Sequence, residues 1–343
     1  MPKPLHVSLI AIPDASISTL HGLYDVLNSF RMLKGADSSL PETPPFTVEI
    51  VAQTTESIRL ASGLPVQPHR GIAGIHATDI VIVPSVVLNP DWRVGRYPGL
   101  VDWLQQVHER GATLCSACSG AFLIAETGLL DGRSTTLHWS YAPDFHKLYP
   151  NVPICPEKTL LVAGERGQFV SSGASMSWHD LALYLVARHV GPTTAQTVAR
   201  FFALQWHRDG LGPYMLFEGR RDHGDAAILE AQDWLAKHFS VADPVDEMIR
   251  RSGLAERTFN RRFSNATSHA PLAYVQQLRI EDAKRRLERT NDSVEEIGWR
   301  VGYEDPAFFR RLFKRLTGVT PGHYRRQFQI PDFATSDTRP DRT

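Results

Sequence analysis

Arginine and asparagine carry forked hydrogen-bonding groups that match guanine and adenine edges in a DNA major groove, and lysine offers a point charge to phosphate. The C-terminal third of this chain sets those residue types on two equivalent surfaces, Arg257, Asn260 and Arg261 on one and Arg310, Arg311, Lys314 and Arg315 on the other. A second chemistry sits upstream in ATLCSACSGAF (112–122), where Cys118 closes a strand-like run and opens a helix-like one. A thiol on such a turn faces the positive end of a helix, which favours thiolate, and this is the layout of a nucleophile elbow. The same corner equally suits a small buried residue with no chemistry.

The elements that must position the arginines form one module written twice. RTFNRRFSNATSHAPLAY (257–274) lies over AFFRRLFKRLTGVTPGHY (307–324) at a constant offset of 50, so Phe259 meets Phe309, Arg261 meets Arg311, Phe263 meets Phe313 and Tyr274 meets Tyr324. Aromatic residues one turn apart give each helix an inward stripe, which leaves the cationic face outward. Each copy follows a helical phrase ending in a glycine turn, VDEMIRRSGL (245–254) and SVEEIGWRVGY (293–303), so each reads helix, turn, helix. One cationic helix is as often an ordinary solvated face. Two equivalent ones point to a double-stranded nucleic acid. Asp305 before Pro306 is a well-formed helix start, whereas Ala255 leaves the first copy without a capping side chain.

Composition narrows the remainder. The chain has 343 residues, 42% hydrophobic and 22% charged, which is globular and long enough for two or three domains. Its net charge of zero conceals a mild polarity, 18 Lys and Arg against 15 Asp and Glu over 225–326 and the reverse excess elsewhere. DNA binding therefore has to rest on where arginines point, not on bulk charge. Three cysteines, an odd number with no spacing suited to a disulfide framework or a zinc site, fit a reducing cytoplasm, although CSAC (115–118) has the C-x-x-C spacing of a redox motif, and no apolar run reaches membrane-spanning length. A cytoplasmic protein without cofactor or metal is expected.

From the N-terminus, HVSLIAIP (6–13), FTVEIVAQ (46–53) and DIVIVPS (79–85) read as strands, the last a continuous apolar run of the kind buried in a parallel sheet. Helices are expected over 17–33, 99–111 and 119–130. Alternation of this kind predicts a doubly wound α/β layer structure whose ligands bind at the carboxyl ends of the strands. Residues 193–228 begin as a helix and become a Gly-, Pro- and charge-rich connector. The expected domains are 1–206, a linker over 207–225, an all-α domain over 226–328 and a disordered tail over 329–343.

The repeat resembles the AraC/XylS class of DNA-binding domain, in which two helix-turn-helix units joined by a long helix, here 271–290, enter successive major grooves. The resemblance puts base contacts at Arg257, Asn260 and Arg261, and at Pro306, Ala307, Arg310 and Arg311. Pro306 and Ala307 have no side-chain donors, so the second unit is expected to read methyl groups, shape or phosphate more than base edges. The first two hundred residues resemble the ThiJ/PfpI superfamily, with its class I glutamine amidotransferase-like flavodoxin fold. They are most similar to the GlxA-like branch fused to AraC-type domains and to its isonitrile hydratase relatives. In that branch the elbow cysteine matches Cys118 and the histidine of a Thr-x-His-Trp segment matches His138; Cys115 becomes a buried strand residue.

The sequence also departs from the catalytic members of that superfamily. Ser119 stands where PfpI-type enzymes have a histidine, Thr19 where the hydratase-like branch has an acid, and Ser85 where a glycine N–H faces the reacting oxygen; Asp14 and Asp25 lie off register. A thiol without an acid or base does not easily run acyl transfer or hydration, so Cys118 and His138 are expected to be vestigial. The expected function is a ligand-controlled, sequence-specific transcription regulator and not an enzyme. His21, Cys118, Ser119, His138, Trp139 and Ser172 are its candidate ligand contacts, although each is also an ordinary residue for a sheet edge. The resemblance implies a nitrogen-containing effector, a homodimer through the first domain and possible contact with RNA polymerase. Two other readings share the thiol: a cysteine-dependent hydrolase or hydratase with accessory DNA binding, and a redox sensor.

Overall fold

In the computed structural model, the described residues are 3–331, apart from 34, 36, 38, 39 and 89–91, together with 334. The expected tail from 329 falls almost wholly outside them. The chain divides into two compact units, Met1–Leu211 and Gly212–Thr343.

In the first unit the strands are β1 (Leu5–Ile10), β2 (Phe46–Ala52), β3 (Ile58–Arg59), β4 (Pro65–Val66), β5 (Arg70–Gly71), β6 (Ile80–Val83), β7 (Thr113–Ala117), β8 (Leu160–Ala163) and β9 (Phe169–Ser172). The helices are α1 (Ile17–Asn28), α2 (Pro98–Glu109), α3 (Ala121–Ala125), α4 (Ala142–Leu148), α5 (Trp178–His189) and α6 (Pro192–Phe201). Seven strands form one sheet in the order β5-β2-β1-β6-β7-β9-β8, parallel except for β8, while β3 and β4 make a separate hairpin. All four residues of β6 are buried, as expected for a central parallel strand covered on both faces. The doubly wound reading holds.

One expected helix is much shorter. Residues 119–130 were expected to be helical throughout, yet Cys118–Gly120 is a 3₁₀ turn and α3 ends at Ala125. Gly128 and Gly132 both take left-handed backbone, so the chain turns away where the apolar spacing still looked helical.

The second unit is all-helical: α7 (Ala226–His238), α8 (Pro244–Ser252), α9 (Glu256–Thr267), α10 (Pro271–Arg289), α11 (Val294–Arg300), α12 (Pro306–Thr317) and α13 (Pro321–Phe328). It has two small cores. One gathers Leu235, Met248, Phe259, Phe263 and Tyr274; the other gathers Ile280, Leu287, Ile297, Phe309, Phe313 and Tyr324. Each fully buried phenylalanine contributes on the order of 2–3 kcal/mol by transfer from water, which is why the repeat keeps Phe at 259, 263, 309 and 313. Of the stretch expected as a linker, residues on each side of 211 pack into the unit to which they belong. Thr159 Oγ1 donates to the His207 carbonyl at 2.8 Å, and Phe217 packs edge-on against Tyr274 with ring centres 5.0 Å apart.

The two copies differ at their helix ends. Asp305 Oδ1 accepts from the Ala307 amide at 2.8 Å, capping α12 as expected, and no side chain caps α9 at Ala255. Ala255→Ser is expected to stabilise this unit by about 1 kcal/mol, seen as a higher urea midpoint with unchanged slope. At the other end, Gly318 closes α12 at φ 88°, while Ser268 closes α9 at φ 61°, left-handed backbone that costs a residue with a Cβ. Ser268→Gly should therefore add about 0.5–1 kcal/mol, net of the glycine's extra freedom when unfolded, and the same titration measures it.

Candidate functional site

The arginine surfaces are as exposed as the repeat requires. Arg257, Arg261, Arg310, Arg311, Lys314 and Arg315 are exposed and Asn260 half-buried, on helices whose opposite faces bury Phe259 and Phe263, or Phe309, Leu312 and Phe313. Pro306 and Ala307 are exposed at the first turn of α12. Arg257, Arg261 and Lys314 have no ion pair or hydrogen bond among the described residues, so their charge is available to a ligand. Arg310 is instead paired with Glu295, and Arg311 approaches Asp305 only at 3.9 Å. The neighbouring Arg262, outside the expected set, is tied to Asp225 through two hydrogen bonds of 2.6 and 2.9 Å and serves the fold.

One contributor gave no sign in the repeat. Arg279 of α10 is only 9% exposed, and its guanidinium donates to the carbonyls of Phe239 (2.7 Å), Val241 (2.9 Å) and Gly302 (2.8 Å) while lying over the Tyr303 ring. Phe239 and Val241 lead into α8 of the first helix-turn-helix, and Gly302 is the turn of the second. This side chain therefore ties the segment leading into α8 to the turn between α11 and α12.

In the first unit, Cys118 follows β7 with φ 51°, a left-handed conformation rare outside glycine. Gly120 makes the turn possible, because a Cβ there would fall 2.5 Å from the carbonyl oxygens of Val83 and Pro84. The thiol is 1% exposed, and among the described residues its Sγ has one polar neighbour within hydrogen-bonding range, Ser175 Oγ at 3.8 Å. Cys115, three positions earlier within β7, is fully buried, and desolvation pushes its thiol up to about 12. Both cysteines are free, so the C-x-x-C spacing is incidental.

The segments expected at the carboxyl edge do converge. The Ser119 hydroxyl donates to the Val86 carbonyl at 2.6 Å and accepts from its amide at 2.9 Å; Ser16 N–H donates to the Ser85 carbonyl, and Thr19 Oγ1 donates to Ser85 Oγ at 3.1 Å. Ser119 is thus spent holding the 85–87 loop against the elbow, and Thr19 meets Ser85 where an acid would face a bare amide. Asp14 is committed to Arg96, 2.8 Å away, and to the Tyr97 hydroxyl; Asp25 is exposed. His138 is lowered below the ordinary imidazole range by burial, stacks on Trp139 with ring centres 4.0 Å apart, and shares a 2.7 Å hydrogen bond with Ser140. It makes no hydrogen bond to Cys118. Ser172 is buried at the end of β9, its hydroxyl pointing to the Ser116 carbonyl at 3.4 Å.

Among the described residues, the buried polar atoms His21 Nδ1 and Trp178 Nε1 lack a protein partner. They lie where α1 meets α5, so close that a Cβ at Gly22 would fall 2.5 Å from the Trp178 indole. Ser175 and Trp178 were missed in sequence. The small-residue run GASMS after β9 was the available signal.

Residues 24–171 match the DJ-1/PfpI family and residues 248–327 the helix-turn-helix domain family. The chain carries a DJ-1/PfpI domain and an AraC-type helix-turn-helix domain. Among similar proteins are the HTH-type transcriptional regulators CdhR of Pseudomonas aeruginosa and GlxA of Rhizobium meliloti. The first is 28% identical over 229 residues, 66% of this chain and 67% of the relative; the second is 26% identical over 230 residues, 65% and 68%. The isonitrile hydratase of Pseudomonas putida is 26% identical over 198 residues, 57% of this chain and 76% of that enzyme. A solved protein of Vibrio parahaemolyticus, 22% identical, superposes with a TM-score of 0.50 over 58% of this chain and 99% of its own, which shows the fold. No helix among the described residues is long and apolar enough to cross a membrane. In the DJ-1/PfpI domain, Cys118 stands on a tight turn after β7, and the Ser119, Thr19 and Ser85 hydroxyls beside it are hydrogen-bonded within the surrounding loops.

Proposed function

We propose that this protein is a sequence-specific transcription regulator whose AraC-type domain binds promoter DNA and whose DJ-1/PfpI domain holds a small polar metabolite without transforming it. The observation that carries the DNA half is the pair of helices α9 and α12, each burying aromatics and presenting arginines outward, with Arg257 and Arg261 free of ion pairs. The similarity to HTH-type transcriptional regulators supports it. The metabolite half rests on the strained elbow, and on His21 Nδ1 and Trp178 Nε1, buried donors or acceptors that a polar ligand would satisfy. A nitrogen-containing effector, a homodimer through the first domain and contact with RNA polymerase belong to this reading.

Fluorescence anisotropy of the full chain against labelled fragments from upstream of its own and neighbouring genes tests the first half. One fragment should bind far more tightly than a shuffled version of itself at physiological salt. Equal affinity for all fragments would count against regulation by sequence. Thermal-shift screening against amines, betaines and amino acids should find at least one stabilising compound.

The second reading, a cysteine-dependent hydratase or hydrolase, is favoured by the φ 51° elbow at Cys118 and by similarity to the isonitrile hydratase. Isonitrile or amide turnover that disappears in Cys118→Ala would establish it. The absence of an imidazole or carboxylate in hydrogen-bond contact with Sγ argues for no turnover.

A further inference from the structure

A cluster outside the elbow has the make-up of a metal site. His179 and Asp180 open α5, and His207 lies 27 residues further on, in the segment that follows α6 and four residues before the end of the first compact unit. Their donor atoms lie within 4.8 Å of one another. Asp180 Oδ2 is 2.6 Å from His207 Nδ1 and 3.6 Å from His179 Nδ1, and the two imidazoles stack with ring centres 5.0 Å apart.

The burial is unusual for groups of this kind. The Asp180 side chain is 3% exposed, His179 12% and His207 20%. His179 Nδ1 is buried and makes no hydrogen bond among the described residues, so one donor already points into the cluster with its lone pair or proton unused. Asp180 is also pre-oriented: its Oδ1 accepts from the His207 backbone amide at 3.0 Å, which leaves Oδ2 facing the two rings. The Thr159 hydroxyl fixes the same backbone from the other side through the His207 carbonyl. Outer contacts of this kind hold ligands in place around metals.

We propose that His179, Asp180 and His207 bind a divalent ion of the zinc class, tying the start of α5 to the segment through which the chain leaves the DJ-1/PfpI domain. Two imidazoles and one carboxylate suit a tetrahedral centre whose fourth position is taken by water. Bonds of about 2.0–2.1 Å put neighbouring donors about 3.3 Å apart. The His179 contact at 3.6 Å is close to that already. The His207 contact at 2.6 Å is a hydrogen bond that the ion would replace, moving the ring outward by less than about 1 Å.

Cobalt(II) is the probe, because tetrahedral nitrogen and oxygen ligation gives visible bands far more intense than the weak absorption of the octahedral aqueous ion. The untagged full chain, stripped with chelator, is titrated with CoCl₂ and then with ZnCl₂. One equivalent should raise the visible bands to a plateau, and zinc should bleach them stoichiometrically. His179→Gln and His207→Gln, each shown to be folded by circular dichroism, should weaken cobalt binding at least 100-fold, as should the double variant. His108→Gln, a histidine elsewhere in the same domain, should leave the bands unchanged. Wild-type protein that shows no saturable bands would overturn the proposal whatever the variants do, as would bands that persist in the folded double variant.

Discussion

Replacing Arg279 with alanine should destabilise the second unit by about 2–4 kcal/mol, the largest loss expected from any single arginine of that unit. The guanidinium sits 9% exposed with donors directed at three carbonyls, on Phe239, Val241 and Gly302, and makes no salt bridge among the described residues. Hydrogen bonds from a charged donor contribute about 1.5–3 kcal/mol each. Water can reach the freed carbonyls in part, since their residues are not all buried, which keeps the total below the simple sum. Lysine would keep the charge but offer one ammonium to acceptors arranged around a planar fork, so Arg279→Lys should recover less than half of the loss. Urea denaturation of the full chain, followed by helical circular dichroism, measures both. Because the three carbonyls belong to the two helix-turn-helix halves, operator affinity should also fall under conditions where the variant is still folded. A variant as stable as wild type would show that Arg279 only fills space.

Much of this arrangement was legible in the sequence. The offset of 50 between the two copies placed α9 and α12, their buried phenylalanines and their exposed arginines, since aromatic spacing and burial are the same physical statement. The central strands were legible for a similar reason: a run such as IVIV can be satisfied only inside a covered sheet. What local pattern could not give was the fate of polar side chains. Ser119 and Thr19 looked like substituted catalytic positions, and the structure shows why they are tolerated: both hydroxyls brace loops at the carboxyl edge. Nothing in the local pattern sets Arg279 apart on its helix. Nor does local pattern link His179, Asp180 and His207, which α5 and α6 bring together across a sequence separation of 27 residues between Asp180 and His207. Helix 119–130 was overextended because apolar spacing continues beyond Ala125, while Gly128 and Gly132 turn the backbone into conformations that hydrophobic period does not register.

Arg261→Ala and Arg311→Ala should each weaken operator binding by about 1–3 kcal/mol if they read bases. The two are not expected to behave alike. Arg261 is exposed and free of ion pairs among the described residues, so wild type gains its full interaction with DNA. Arg311 shares some of its charge with Asp305 at 3.9 Å, a long and exposed contact worth little, and reaches DNA beside Pro306 and Ala307, which offer no donors of their own. Arg310 must first leave Glu295 to touch DNA, which makes Arg310→Ala the mildest of the three and predicts that Glu295→Gln binds slightly tighter than wild type. Anisotropy against operators carrying single base changes separates readout from positioning. A base-reading arginine loses discrimination at one position when removed, whereas a phosphate contact weakens every sequence alike and lowers the salt dependence of log K by about one ion. If all three variants bind like wild type, the outward arginines of α9 and α12 are solvated charge, and the DNA surface of this domain lies elsewhere.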